Sequence, residues 1–207
     1  APHHLSFGQR RLWFIEQLEP GRSTYHMPAA IRLRGRCDAA ALEASFTDLV
    51  RRHEALRTRF PAPAGEPFQD VLAADGCAFA LAVEDMRAFP AGEREARARA
   101  RAADEVAVLF DLARGPLLRA RLLRLDDEDH LLVFVIHHIV SDGWTMGLLT
   151  RELTTLYAAR VTGADAALPA LPAHYADFAA WQRGHLTNET LREPMAYLYR
   201  APHRVRS

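Results

Sequence analysis

The chain has 207 residues, enough for one large domain or two small ones with a real hydrophobic core. Its 26 basic residues are all arginine and balance 26 acidic ones, so no global basic field draws it to nucleic acid, and no lysine can serve as Schiff base or general base. No apolar run approaches the ~20 residues that cross a bilayer, and the opening APHHLSFGQRR lacks an apolar signal core, so a cytoplasmic protein without membrane contact is expected.

Two cysteines, Cys37 and Cys77, are too few and too far apart for a metal knuckle or a disulfide framework and read as buried thiols. Residues 5–19 open with Ser6 and Gln9 at capping-box spacing, and Leu12, Ile15 and Leu18 then recur at helical intervals. Residues 28–34 read as a strand. Residues 38–55 form a helix capped by Asp38, with Leu42, Phe46, Leu49 and Val50 on one face. Residues 56–60 and 67–72 flank a Pro/Gly-rich turn and predict a hairpin. FALAVEDM is a further strand, and residues 91–110 a helix with a charged outer face. LLRARLLRL (117–125), the turn DDED and HLLVFVIHH form a second hairpin, whose last strand is apolar on both faces and therefore buried. A helix runs from Gly143 to Ala159, and after ALPALPAH a final one starts at YADFAAWQRGHL and is disturbed by Pro194. Adjacent strands are expected to be antiparallel. The mixture points to an α+β fold, a mostly antiparallel or mixed sheet covered by helices, without phosphate-cradling glycine motifs.

The stretch VFVIHHIVSDGWT ends the buried strand in His137 and His138. Side chains alternate along a strand, so the two rings point to opposite faces and only one can serve a given cavity. Asp142, at the start of the next helix, can accept backbone N–H bonds or pair with a buried arginine. Gly143 permits close backbone approach, and free amides at the helix start could face a developing oxyanion. Divergent rings without a third histidine at ligand spacing argue against a metal. Ser141 lacks the GxSxG elbow of a serine nucleophile.

HHIVSDG matches the HHxxxDG signature of the chloramphenicol acetyltransferase-like acyltransferases and most resembles the condensation domains of nonribosomal peptide synthetases. LSFGQRRLWFIEQL (5–18) resembles that family's opening motif, with Gly8 where alanine is more usual. YHMP (25–28), RRHEALRTRF (51–60) and YADFAAWQ (175–182) resemble its further landmarks, in the right order. The resemblance implies a chloramphenicol acetyltransferase-like lobe, one of two forming a V around a tunnel. It implies amide bond formation between a donor acyl thioester and an acceptor aminoacyl thioester. Both substrates ride on the 4'-phosphopantetheine of upstream and downstream peptidyl carrier proteins, with no covalently bound cofactor. By the same likeness His138 is the catalytic base or the residue that positions the amine, while His137 faces the core. Asp142 is expected to pair with Arg57 and order the loop, Arg52 to be structural, and Gly143 to leave room for the pantetheine arm. Ser141 and Trp144 fall along the tunnel, Trp144 as core or tunnel wall. Trp13, Phe14, Tyr175 and Trp181 read as packing. The opening motif resembles domains taking an L-configured donor.

A complete condensation domain is about twice this length, so residues 1–207 read as a single N-terminal subdomain whose C-terminal lobe is absent, inactive alone. Two alternatives stand beside this reading. One is a trimeric acyl-CoA-dependent acetyltransferase of the same fold, and the other a non-catalytic scaffold that docks carrier proteins.

Overall fold

A computed structural model describes residues 3–185, so the disturbance expected at Pro194 lies outside the described residues. Helix α1 (Phe7–Leu18) starts in the predicted capping box: Gln9 N–H donates to Ser6 Oγ at 3.1 Å, and Ser6 N–H to Gln9 Oε1 at 3.0 Å. Strand β1 (His26–Arg34) leads to α2 (Ala39–Arg52), where Asp38 caps Ala41 N–H at 3.0 Å and Leu42, Phe46, Leu49 and Val50 are buried. Strands β2 (Thr58–Arg59) and β3 (Asp70–Val71) form the expected hairpin, with Thr58 opposite Val71. Strand β4 (Ala82–Asp85), helix α3 (Ala91–Ala107), and strands β5 (Leu118–Asp126) and β6 (Asp129–His137) follow. Helix α4 (Gly143–Thr162) ends on Gly163, whose φ of 72° is the left-handed conformation that glycine adopts without strain, and α5 is Tyr175–His185.

Four strands pair in the order β1-β6-β5-β4. The first two pairings are antiparallel as expected, but β4 and β5 are parallel, with Ala82 opposite Arg121. The reason is the connection: α3 lies between them, and a helix-length crossover returns the chain to the same end of the sheet, which a tight turn cannot do.

The central strand β6 is apolar on both faces because both are covered. Leu132, Phe134 and Ile136 join a core with Phe46 and Leu49 of α2 and Leu149 and Leu153 of α4. Val133 points the other way, to Leu123 and to Ala98 of α3. Side chains of this size each contribute ~1.5–3 kcal/mol when fully buried. Two anchored faces leave β6 no register to slip into, so the position of its last residue, His137, is fixed by packing.

Candidate active site

Beyond His137 the chain leaves the sheet in a short 3-10 turn, His138–Val140, and enters α4 through Ser141 and Asp142. Hydrogen bonds to its backbone and to the residue before it pin the turn. His137 N–H donates to the Leu117 carbonyl at 3.0 Å, and His138 N–H to the Tyr25 carbonyl at 2.8 Å. The Ile139 carbonyl accepts from Gln9 Nε2 at 3.3 Å.

The two rings diverge as expected, but the strand ends at His137, so it is the turn rather than strand alternation that aims His138 outward. His137 is 1% exposed, and its Nδ1 accepts the Ile139 N–H at 3.0 Å while Nε2 faces Glu16 Oε1 at 3.1 Å. Burial holds its pKa below the ordinary histidine value, against an opposing contribution from Glu16. His138 is exposed, and its Nδ1 lies 2.6 Å from the Ser141 carbonyl oxygen. A carbonyl can only accept, so Nδ1 carries the hydrogen and in the neutral ring the lone pair is on Nε2. The turn thus presents an exposed imidazole in one tautomer with a free basic nitrogen.

Ser141 itself is buried and contributes through its backbone carbonyl, so its hydroxyl does not line an open tunnel as the sequence suggested. Asp142 caps α4: Oδ1 accepts from Thr145 N–H at 2.7 Å and Thr145 Oγ1 at 2.6 Å. These two bonds, the hydroxyl's first, hold its carboxyl below the usual range. The expected pairing with Arg57 is not made. Arg57 turns to the β2–β3 hairpin, bonding Glu54 at 3.2 Å and the Leu72 carbonyl. The local reason is that Thr145, three residues ahead, satisfies Asp142 without a distant partner. At Gly143 an added Cβ would meet nothing within 4 Å, so the chain's own packing leaves the space before it open. Trp144 is 86% exposed and is not part of the core.

Arg52 is tied into the fold: Nε donates to Glu152 Oε2 at 3.2 Å, beside His53 Nε2 at 2.6 Å on the same oxygen, and Nη2 bonds the Pro169 carbonyl. Glu152, buried in α4, is the acceptor that ties the RRHEAL stretch, where α2 ends, to the helix behind the site. The YADFAAWQ stretch closes on the opening motif. Tyr175 Oη lies 3.1 Å from Ser6 Oγ, and Phe7 N–H donates to Gln182 Oε1 at 3.0 Å. Trp13 is half-buried against the core, whereas Phe14, Tyr175 and Trp181 are exposed, so packing accounts for only part of that aromatic set. A cleft of about 640 Å³ is walled by Trp13, Glu16, His26, Phe60, Phe110 and His137; it borders the buried histidine rather than the exposed one.

The family profile described as the condensation domain matches residues 3–197. The chain belongs to the condensation-domain family. It is 48% identical over 197 residues to phosphinothricin tripeptide synthetase PhsC of Streptomyces viridochromogenes, an alignment covering 95% of this chain and 18% of that protein. It is 43% identical over 185 residues to a dimodular nonribosomal peptide synthase of Bacillus subtilis, covering 89% of this chain and 8% of that one. The condensation-domain chain therefore spans under a fifth of the length of either relative. A crystal structure of the starter condensation domain of rhizomide synthetase RzmA superposes with a TM-score of 0.84 at 21% identity, covering 95% of this chain and 47% of that one, a likeness of fold.

Three residues around the condensation-family signature escaped the sequence reading as site residues: Gln9, Glu16 and Glu152. Gln9 was read only as a helix cap. Glu16 follows it by seven residues, two helical turns, and that spacing on one face of α1 was the available signal. Among the described residues, no group of three or more His, Cys, Asp or Glu side chains is arranged to hold a metal ion.

Proposed function

We propose that this chain is the first lobe of a condensation domain that forms amide bonds between carrier-bound substrates, and that His138 serves the attacking amine. The observation that carries this is the His138 ring: exposed, held through Nδ1 to the Ser141 carbonyl, with its lone pair on Nε2. The acceptor's α-amine attacks the donor's thioester carbonyl carbon. Nε2 takes the proton that the nitrogen sheds, the C–N bond forms as the C–S bond breaks, and the departing pantetheine thiolate leaves as thiol once protonated. A neutral imidazole suits this transfer near pH 7.

The donor and acceptor thioesters are substrates delivered on 4'-phosphopantetheine by upstream and downstream peptidyl carrier proteins. The open space before Gly143, at the amide-rich start of α4, suits a pantetheine arm or a developing oxyanion. The open position of His138 fits a site completed by a C-terminal lobe, as does the 47% share of the RzmA condensation domain that this chain covers. The opening motif favours an L-configured donor. A cytoplasmic location accords with the described residues, none of whose helices is long and apolar enough to cross a membrane.

The test is His138→Ala in a synthetase carrying this chain, assayed for condensation between loaded carriers. Loss of a general acid–base group lowers the rate ~10²–10⁴-fold. Peptide formation at the parent rate would end this reading.

A further inference from the structure

We propose that Glu16 is a positioning residue for condensation: its carboxylate decides which nitrogen of His137 is bare, and that nitrogen holds the turn bearing His138. The inference rests on the role given to His138 above.

Two contacts agree on one tautomer. The Ile139 amide, 3.0 Å from Nδ1, can only donate, so Nδ1 must be bare. The Glu16 carboxylate, 3.1 Å from Nε2, can only accept when ionised, so Nε2 must carry the hydrogen. At 1% exposure His137 has no bulk water to offer substitutes. The opposite tautomer would oppose N–H to N–H at Ile139 and lone pair to lone pair at Glu16, two unsatisfied buried contacts at once.

The consequence reaches the reacting nitrogen through the backbone. Ile139 directly follows His138, and its carbonyl is held by Gln9. Gln9 and Glu16 lie seven residues apart on the same face of α1, so one helix grips Ile139 twice: its carbonyl through Gln9, its amide through Glu16 and His137. Ser141, two residues on, supplies the carbonyl that orients the His138 ring. A turn freed at Ile139 shifts that carbonyl and lets the ring rotate away from the attacking amine. Glu16 and His137 both border the 640 Å³ cleft, and the carboxylate is the more exposed of the two, 16% against 1%.

The test combines ring and rate. Two-bond ¹H–¹⁵N correlation spectra of this chain should show the His137 hydrogen on Nε2. Glu16→Leu should lose that preference, speed exchange of the Ile139 amide at least about tenfold, and leave the chain folded. In a synthetase carrying the chain, the same variant should lower kcat by ~10–100-fold, the range seen when a partner orienting a metal-bound imidazole is removed, with donor-carrier KM unchanged. Glu16→Gln, whose amide oxygen can still accept, should keep both tautomer and rate. With His137→Asn, whose side-chain oxygen can accept the Ile139 amide in an Asx turn unaided, adding Glu16→Leu should cost little further rate. A His137 hydrogen found on Nδ1 in the parent overturns the proposal, and so does a Glu16→Leu variant in which ring and rate do not change together. Should Glu16→Leu fail to fold, the parent spectrum and Glu16→Gln decide, and loss of either tautomer or rate in the glutamine variant overturns it. If His138→Ala left condensation intact, the role of His138 would fall while the ring measurement on His137 still stood.

Discussion

Replacing Asp142 by alanine distinguishes a helix cap from a buried ion pair by magnitude alone. A buried pair with Arg57, as the motif suggested, would lose ~3–5 kcal/mol when one partner is removed. The structure gives Asp142 a different place: exposed at the N-terminus of α4, with Thr145 N–H at 2.7 Å and Thr145 Oγ1 at 2.6 Å on a single carboxylate oxygen. Removing such a cap costs ~0.5–2 kcal/mol, and the second donor moves the expectation to the upper half, about 1–2 kcal/mol. For a chain of this size that lowers Tm by about 2–8 °C. Asp142→Ser, itself a good cap, should recover most of the loss. Arg57→Ala should add to Asp142→Ala within ~0.5 kcal/mol, because the two side chains share no bond. Urea unfolding of the single variants and the double variant measures all of this on the 207-residue chain. A loss above about 3 kcal/mol for Asp142→Ala, or coupling above about 1 kcal/mol with Arg57→Ala, would refute the cap account and restore the ion pair.

Glu152→Gln should destabilise more than Asp142→Ala, by ~2–4 kcal/mol, because Arg52 and His53 both bond the lost carboxylate oxygen in a nearly buried position, while Arg52 keeps its Pro169 bond. Equal denaturation midpoints for the two variants would contradict it. Stability should fall as pH drops below ~6.5, since the unfolded chain then binds protons that the buried His137 and His130, both with depressed pKa values, refuse; above ~6.5 these two contribute no slope. Glu16, His26 and His138 act electrostatically on His137 and bear on its share, so His137→Asn should flatten part of the decline, and unchanged midpoints between pH ~7.5 and ~5.5 would exclude it. Asp142 adds acid sensitivity lower down, its stabilisation being present above pH ~3.8 and lost as pH falls through its depressed pKa. The 207-residue chain alone, mixed with loaded carriers, should give no condensation, since holding two thioester arms in register supplies up to ~7–11 kcal/mol of the barrier reduction; robust turnover by a monomer would overturn the half-domain reading.

The sequence by itself determined what depends on neighbours a few residues away. Ser6 and Gln9 at capping-box spacing, Asp38 before an amphipathic run, and the two-faced apolar strand at residues 131–137 all predicted their elements, because caps and side-chain periodicity are local. The sequence also anticipated that His137 and His138 diverge, but the strand ends at His137, and the turn after it sets the direction of His138. Partners far along the chain were a different matter. The parallel pairing of β4 with β5 depends on where α3 crosses, and Arg57 could have met Asp142 or the Leu72 carbonyl with equal sequence logic. Only the packed chain brought Glu16 within 3.1 Å of a ring 121 residues away, and Glu152 within 3.2 Å of Arg52 across 100 residues. Charged side chains reach several ångströms in any direction, and nothing in a linear pattern records which one closes a distant contact. The fold decides that by fixing backbones first, and the tautomer of each histidine follows from the partners the fold leaves within reach.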